Sequence, residues 1–153
     1  MIGRFVILGV LVAALPLCGC QLMVSRATSG IAENISAAVL DQEDVGIARD
    51  GGPAYLIAVD GLIQGDPENE ELLLAGARLY AAYASAFVVE PARAQGLTRR
   101  AKRYGERALC VRHRALCSPG DLSFDDFERA LVETRPTDVD ALYGLGSAWA
   151  SWV

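Results

Sequence analysis

Residues 66–89, DPENEELLLAGARLYAAYASAFVV, leave a folded chain few choices. Asp66-Pro67 breaks the preceding segment. Asn69 is an N-cap residue, and Glu70 and Glu71 follow where a helix dipole favours negative charge. Leu73, Gly76-Ala77, Tyr80, Tyr83-Ala84 and Phe87 then recur at helical spacing. Leu72, Leu79 and Ala86 form a second row, so the helix is apolar nearly all round. Such a helix must be covered, by protein or by lipid. Reading Leu72 to Val89 as a membrane span is the alternative. Arg78, the one charge between Glu71 and Glu90, and the many alanines speak against it.

The pattern returns. Pro67, Leu73, Gly76, Ala77 and Tyr80 have the spacing of Pro136, Leu142, Leu145, Gly146 and Trp149, and Asn69 matches Asp138. The copies are about two tetratricopeptide periods of roughly 34 residues apart. A large residue, a small one and an aromatic let two helices cross closely at the small position. The expected crossings are Gly76-Ala77 and Gly146. The predicted fold is all-α, a set of tetratricopeptide-like antiparallel helical hairpins forming an α-solenoid fragment. An ordinary helical bundle is the other reading.

The flanking sequence supplies further helices. Ile31, Ile35, Ala38 and Val39 mark a short amphipathic one. A second runs from Asp44 to Asp50, where Gly51-Gly52-Pro53 interrupts it. Pro53 suits the first position of a new helix with Leu56, Val59 and Ile63 buried and Gly65 as its stop. Leu97, Ala101, Tyr104 and Ala108 define a helix from Ala92 to Arg112. Its basic residues, Arg99, Arg100, Lys102, Arg103 and Arg107, read as a solvated face, and Gly105 permits another close crossing. Ser123 caps a short helix with Phe124, Phe127, Ala130 and Leu131 inward. The last helix begins near Val139 with Leu142, Leu145, Trp149 and Trp152 on one face and Asp140 its only charge. A terminal solenoid helix needs a polar outer side. Either another chain covers this one or the sequence runs on, and Trp152 is expected to be more exposed than Trp149.

The first twenty residues are of a different kind. Arg4 precedes an uncharged run from Phe5 to Leu17, too short for a comfortable span. It closes on Leu17-Cys18-Gly19-Cys20, which resembles a bacterial lipoprotein signal with Cys20 as the lipidated residue. Cys18 is the poorer acceptor, because Leu17 before it is large. A plain secretory signal and an uncleaved anchor are the alternatives. The expected organisation is a signal over 1–19, a lipid-anchored tether over 20–30 and a helical repeat domain over 31–153. Two or more acyl chains give stable anchoring where one does not. By resemblance to lipoprotein sorting, Gln21 rather than Asp after the cysteine implies the outer membrane, with the chain on the periplasmic face. The formal net charge of −5 argues against a general nucleic-acid role.

No catalytic constellation stands out. There is one histidine, His113, no Gly-rich phosphate loop and no H-E-x-x-H. Cys110 and Cys117 form a candidate disulfide in an oxidising compartment, with two separate thiols as the alternative. A zinc site with His113 would lack a fourth ligand, so neither metal nor cofactor is expected. Tyr83, Phe87 and Trp152 are candidates for a ligand cavity or an interface, against the alternative that such aromatics are simply core.

Four blocks, LLLAGARLYAAYASAFVVE, RAKRYGERAL, FDDFERAL and DVDALYGLGSAWASWV, follow one another over about Asp50 to Val153 in a way that resembles the T-component lipoproteins of tripartite ATP-independent periplasmic (TRAP) transporters. The resemblance implies a non-enzymatic helical lipoprotein that accompanies the periplasmic solute-binding subunit. Relatives of that kind are usually longer. The implied partners are that subunit and the membrane through the lipid, with a small apolar or organic-acid ligand as an addition; the apolar face of the last helix adds a second copy of the chain as a candidate partner. A general scaffold lipoprotein of envelope assembly is the competing function.

Overall fold

The computed structural model of the chain describes residues 29–152. The signal, Cys20, most of the expected tether and Val153 lie outside them. Six α-helices and no strands are found among the described residues: α1 (29–40), α2 (Val45–Gly65), α3 (Glu70–Phe87), α4 (Pro91–Arg112), α5 (Phe124–Val132) and α6 (Val139–Trp152). The chain is all-α.

α3 is the centre. Asn69 caps it by accepting from the Leu72 N–H, and the helix ends at Phe87, ahead of Glu90-Pro91. Leu72, Leu73, Ala77, Leu79 and Tyr80 are all buried, so both apolar rows are covered. Protein covers them, and no helix among the described residues is long and apolar enough to cross a membrane.

Side-chain meetings give the helix directions. Ile63 and Tyr104 both close on Gly76, where a Cβ would stand 2.9 Å from each. Arg107 donates to the Pro67 carbonyl. Both α2 and α4 therefore run antiparallel to α3. Gly105 of α4 meets the Leu145 backbone, and Lys102 meets Trp149 and Trp152, so α6 is antiparallel to α4 and parallel to α3. Ser29 bonds to Asn69, while Leu40 lies near Leu79, so α1 also runs with α3. Successive helices from α1 to α4 thus run in opposite directions, and α6 packs antiparallel to α4 with α5 between them in the chain.

Several local expectations are corrected. Gly51-Gly52-Pro53 does not end a helix, and α2 is continuous through Pro53. Proline removes the N–H that would bond the Arg49 carbonyl four residues back. The Tyr83 hydroxyl donates to that carbonyl instead, at 3.2 Å, with its ring against Gly52. α2 does stop at Gly65, but through Asp66 at φ −141° and ψ 78°, outside both the helical and the extended regions, and no described glycine has positive φ. In α1 the buried side is Ser29, Ala32 and Ser36, whereas Ile31 is exposed. Phe124 of α5 is also exposed, and only Ala130 of its expected inner face is fully buried.

The repeat does not carry over residue by residue. Gly146 is exposed, with open space where a Cβ would sit. The close approach on α6 is at Gly144, whose added Cβ would stand 2.6 Å from Leu74. Of the four matched α6 positions Leu145 is buried, while Leu142 and Trp149 are half-buried. α6 is covered on one side only, so its inner face falls on the small residues Ala141, Gly144 and Ala148.

Candidate functional site

α1, α2 and α3 leave an apolar groove between them, of about 150 Å³. Tyr83 and Phe87, one helical turn apart on α3, form part of its lining, their rings 5.3 Å apart and tilted. Leu79 and Ala86 extend that side, and Val39, Leu40 and Val45 face it from α1 and α2. Tyr83 is held by two constraints, the glycine its ring packs on and the proline-freed carbonyl its hydroxyl bonds. Tyr83 on the groove wall is therefore seated by the same Gly-Gly-Pro sequence that resembles a break. Elsewhere along α2, Ile47, Tyr55 and Ile57 are turned to solvent, each more than a third exposed. Arg49 and Asp50 pair with each other on that surface, and between Gly51 and Gln64 its only charge is Asp60.

Asp60 points the other way. One carboxylate oxygen accepts from the Tyr104 hydroxyl at 2.7 Å, the other from Tyr80 at 2.8 Å and from Arg100 at 2.5 Å. Arg100 also donates to the Tyr80 oxygen, and the two tyrosine rings meet edge to face. Burial pushes the pKa of both phenols above the ordinary value, and hydrogen bonding to Asp60 adds to the rise in each. Both hydroxyls therefore stay protonated and donate. This cluster ties α2, α3 and α4 together. Arg100, Lys102 and Arg107, expected on a solvated face, are engaged within the fold: Lys102 pairs with Glu106 and lies over both tryptophan rings.

The remaining expected positions lie away from the groove. Trp152 is half-buried like Trp149, the two clasping Lys102, and its indole N–H is enclosed. Cys110 and Cys117 are joined as a disulfide at the end of α4. Beside it, His113 Nε2 lies 2.7 Å from Asp138, which also accepts from the Arg135 N–H. Those two bonds hold the Asp138 carboxyl below the usual carboxylate range. Among the described residues no group of side chains is placed to hold a metal ion. The Asp60 cluster was not foreseen from sequence. The available signal was a single acid within an otherwise apolar helix.

A family model described as the TRAP transporter T-component matches residues 41–153, most of the chain. No curated protein and no solved structure shows significant similarity to it.

Proposed function

This chain belongs to the TRAP transporter T-component family, and we propose on that footing that it acts by binding rather than by catalysis. In this reading it is anchored through lipid on Cys20, faces the periplasm, and holds the transporter's solute-binding subunit. The outer membrane is the anchoring surface, as Gln21 implies. The family match carries the reading. The uncharged run ending at Leu17-Cys18-Gly19-Cys20 supports the anchor. The exposed apolar residues of α2, Ile47, Tyr55 and Ile57, offer contact points for docking, spread round the helix rather than gathered in one patch. Ile57, 72 % exposed, is their most accessible member. The groove at Tyr83 and Phe87 is the place for a small apolar ligand.

The test is co-purification from membranes with a tagged full-length chain and its Ile57→Glu variant. The expected result is recovery of a TRAP solute-binding subunit, identified by mass spectrometry, with the native chain and its loss with the variant. Recovery of envelope-assembly proteins and no such subunit would favour the general scaffold instead.

A further inference from the structure

A second cleft, of about 340 Å³, lies on the face made by α1, α3 and α6, separated from the apolar groove by Leu40. α3 forms its floor. Because these three helices run the same way, Glu33, Glu71 and Asp140 gather at one end of the cleft. Arg78 lines the other end, seven residues along α3 from Glu71, which is about 10 Å at 1.5 Å per residue. Leu74 and Ala75 floor the space between. Among the described residues, Arg78 forms no ion pair with any of the three acids. Ser36, on the α1 wall, is 5 % exposed and its hydroxyl has no hydrogen-bond partner. That hydroxyl is enclosed in the α1 wall, so the chemistry the cleft offers is that of its charged ends and its apolar floor.

The charge layout selects the ligand. A simple anion drawn to Arg78 meets three carboxylates, and a simple cation drawn to the carboxylates meets Arg78. A molecule charged oppositely at its two ends satisfies both, and an apolar middle suits Leu74 and Ala75. We propose that this cleft binds a linear zwitterion whose carboxylate pairs with Arg78 and whose ammonium lies among Glu33, Glu71 and Asp140, a short aliphatic chain spanning the floor. The guanidinium offers the bidentate geometry that a carboxylate prefers.

Isothermal titration of the full-length chain in detergent with 6-aminohexanoate, hexanoate and hexylamine tests this, independently of any subunit the chain holds. Saturable binding of 6-aminohexanoate is expected, with each singly charged analogue weaker by about tenfold or more. Arg78→Gln should weaken 6-aminohexanoate by a similar factor. Because Arg78 is exposed, the variant should keep its melting temperature, which is checked alongside. Glu71→Gln should weaken hexylamine and leave hexanoate unharmed. Absence of saturable 6-aminohexanoate binding at millimolar concentration overturns the proposal, as does an analogue binding equally well or an Arg78→Gln variant binding unchanged.

Discussion

Adding one methyl group at two glycines of α2 separates tertiary packing from helix propensity. Gly52 and Gly61 share the helix, and alanine at either gains roughly 0.5–1 kcal/mol by restricting the unfolded chain and favouring the helix. At Gly61 nothing lies within 4 Å of the new Cβ, so that gain should appear in full. At Gly52 the Cβ would stand 2.6 Å from two carbons of the Tyr83 ring. The ring cannot slide freely, because it is buried and its hydroxyl is held by the Arg49 carbonyl. Overpacking costs about 1–3 kcal/mol. If the ring moves, the bond to the proline-freed carbonyl is lost as well, another 0.5–1.5 kcal/mol or so. The two variants should therefore differ by about 1.5–4.5 kcal/mol, with Gly61→Ala above the native protein and Gly52→Ala below it. Each kcal/mol moves the melting temperature of a domain near this size by roughly 2–8 °C. Thermal melts followed by helical circular dichroism resolve that. Equal stabilisation by both variants would refute the seating of Tyr83 on Gly52, and with it the account of why α2 continues through Pro53.

Asp60→Ala strips three donors of their acceptor and should cost about 2–3 kcal/mol in urea unfolding, more than Asp50→Ala, whose pair is exposed. Asp138 titrates lower when folded than when unfolded, so its contribution is fully present above the ordinary carboxylate range and is lost as pH falls through the lower folded value. Melting temperature against pH should therefore fall less steeply below about pH 4 in Asp138→Asn than in the native chain. The Cys110–Cys117 bond closes a short loop, and Cys110→Ser/Cys117→Ser should lower stability by about 2–3 kcal/mol, read as a melting shift that reducing agent reproduces in the native chain only. Cys20→Ser should leave an unprocessed precursor that takes up no palmitate label, while processing and labelling of that variant at the same bond would remove the lipid anchor.

α3 was legible because its signals agree: a cap at Asn69, acids in the first turn and apolar residues on every side. The Gly-Gly-Pro segment was misread because its local rule is correct only for an isolated helix. The missing hydrogen bond is made by Tyr83, which no local pattern connects to Arg49. The repeat spacing points to Gly146, whereas the close approach is at Gly144. Two residues are about 200° round a helix, so one faces in when the other faces out. The neighbours Leu74 and Gly105, not the pattern on α6, decide which. Tyr83 and Phe87 were legible as candidates from their place on a buried helix. The groove they help line was not, since α1 and α2 supply its other wall. The Asp60 cluster joins residues 20 to 44 positions apart, and each partner reads alone as an ordinary tyrosine or surface arginine.

The enclosure of α3 by α1, α2, α4 and α6 has a consequence for how the domain opens. Amide protons exchange with solvent only in states where their hydrogen bonds break. For an end unit of a simple stack, such states arise by local fraying. For α3 they arise only when the outer helices separate, so its amides should report the whole unfolding free energy while α5 exchanges early. Any partner gripping the outside of the domain would then slow exchange at its innermost helix, since what binds only the folded state raises the cost of every opening.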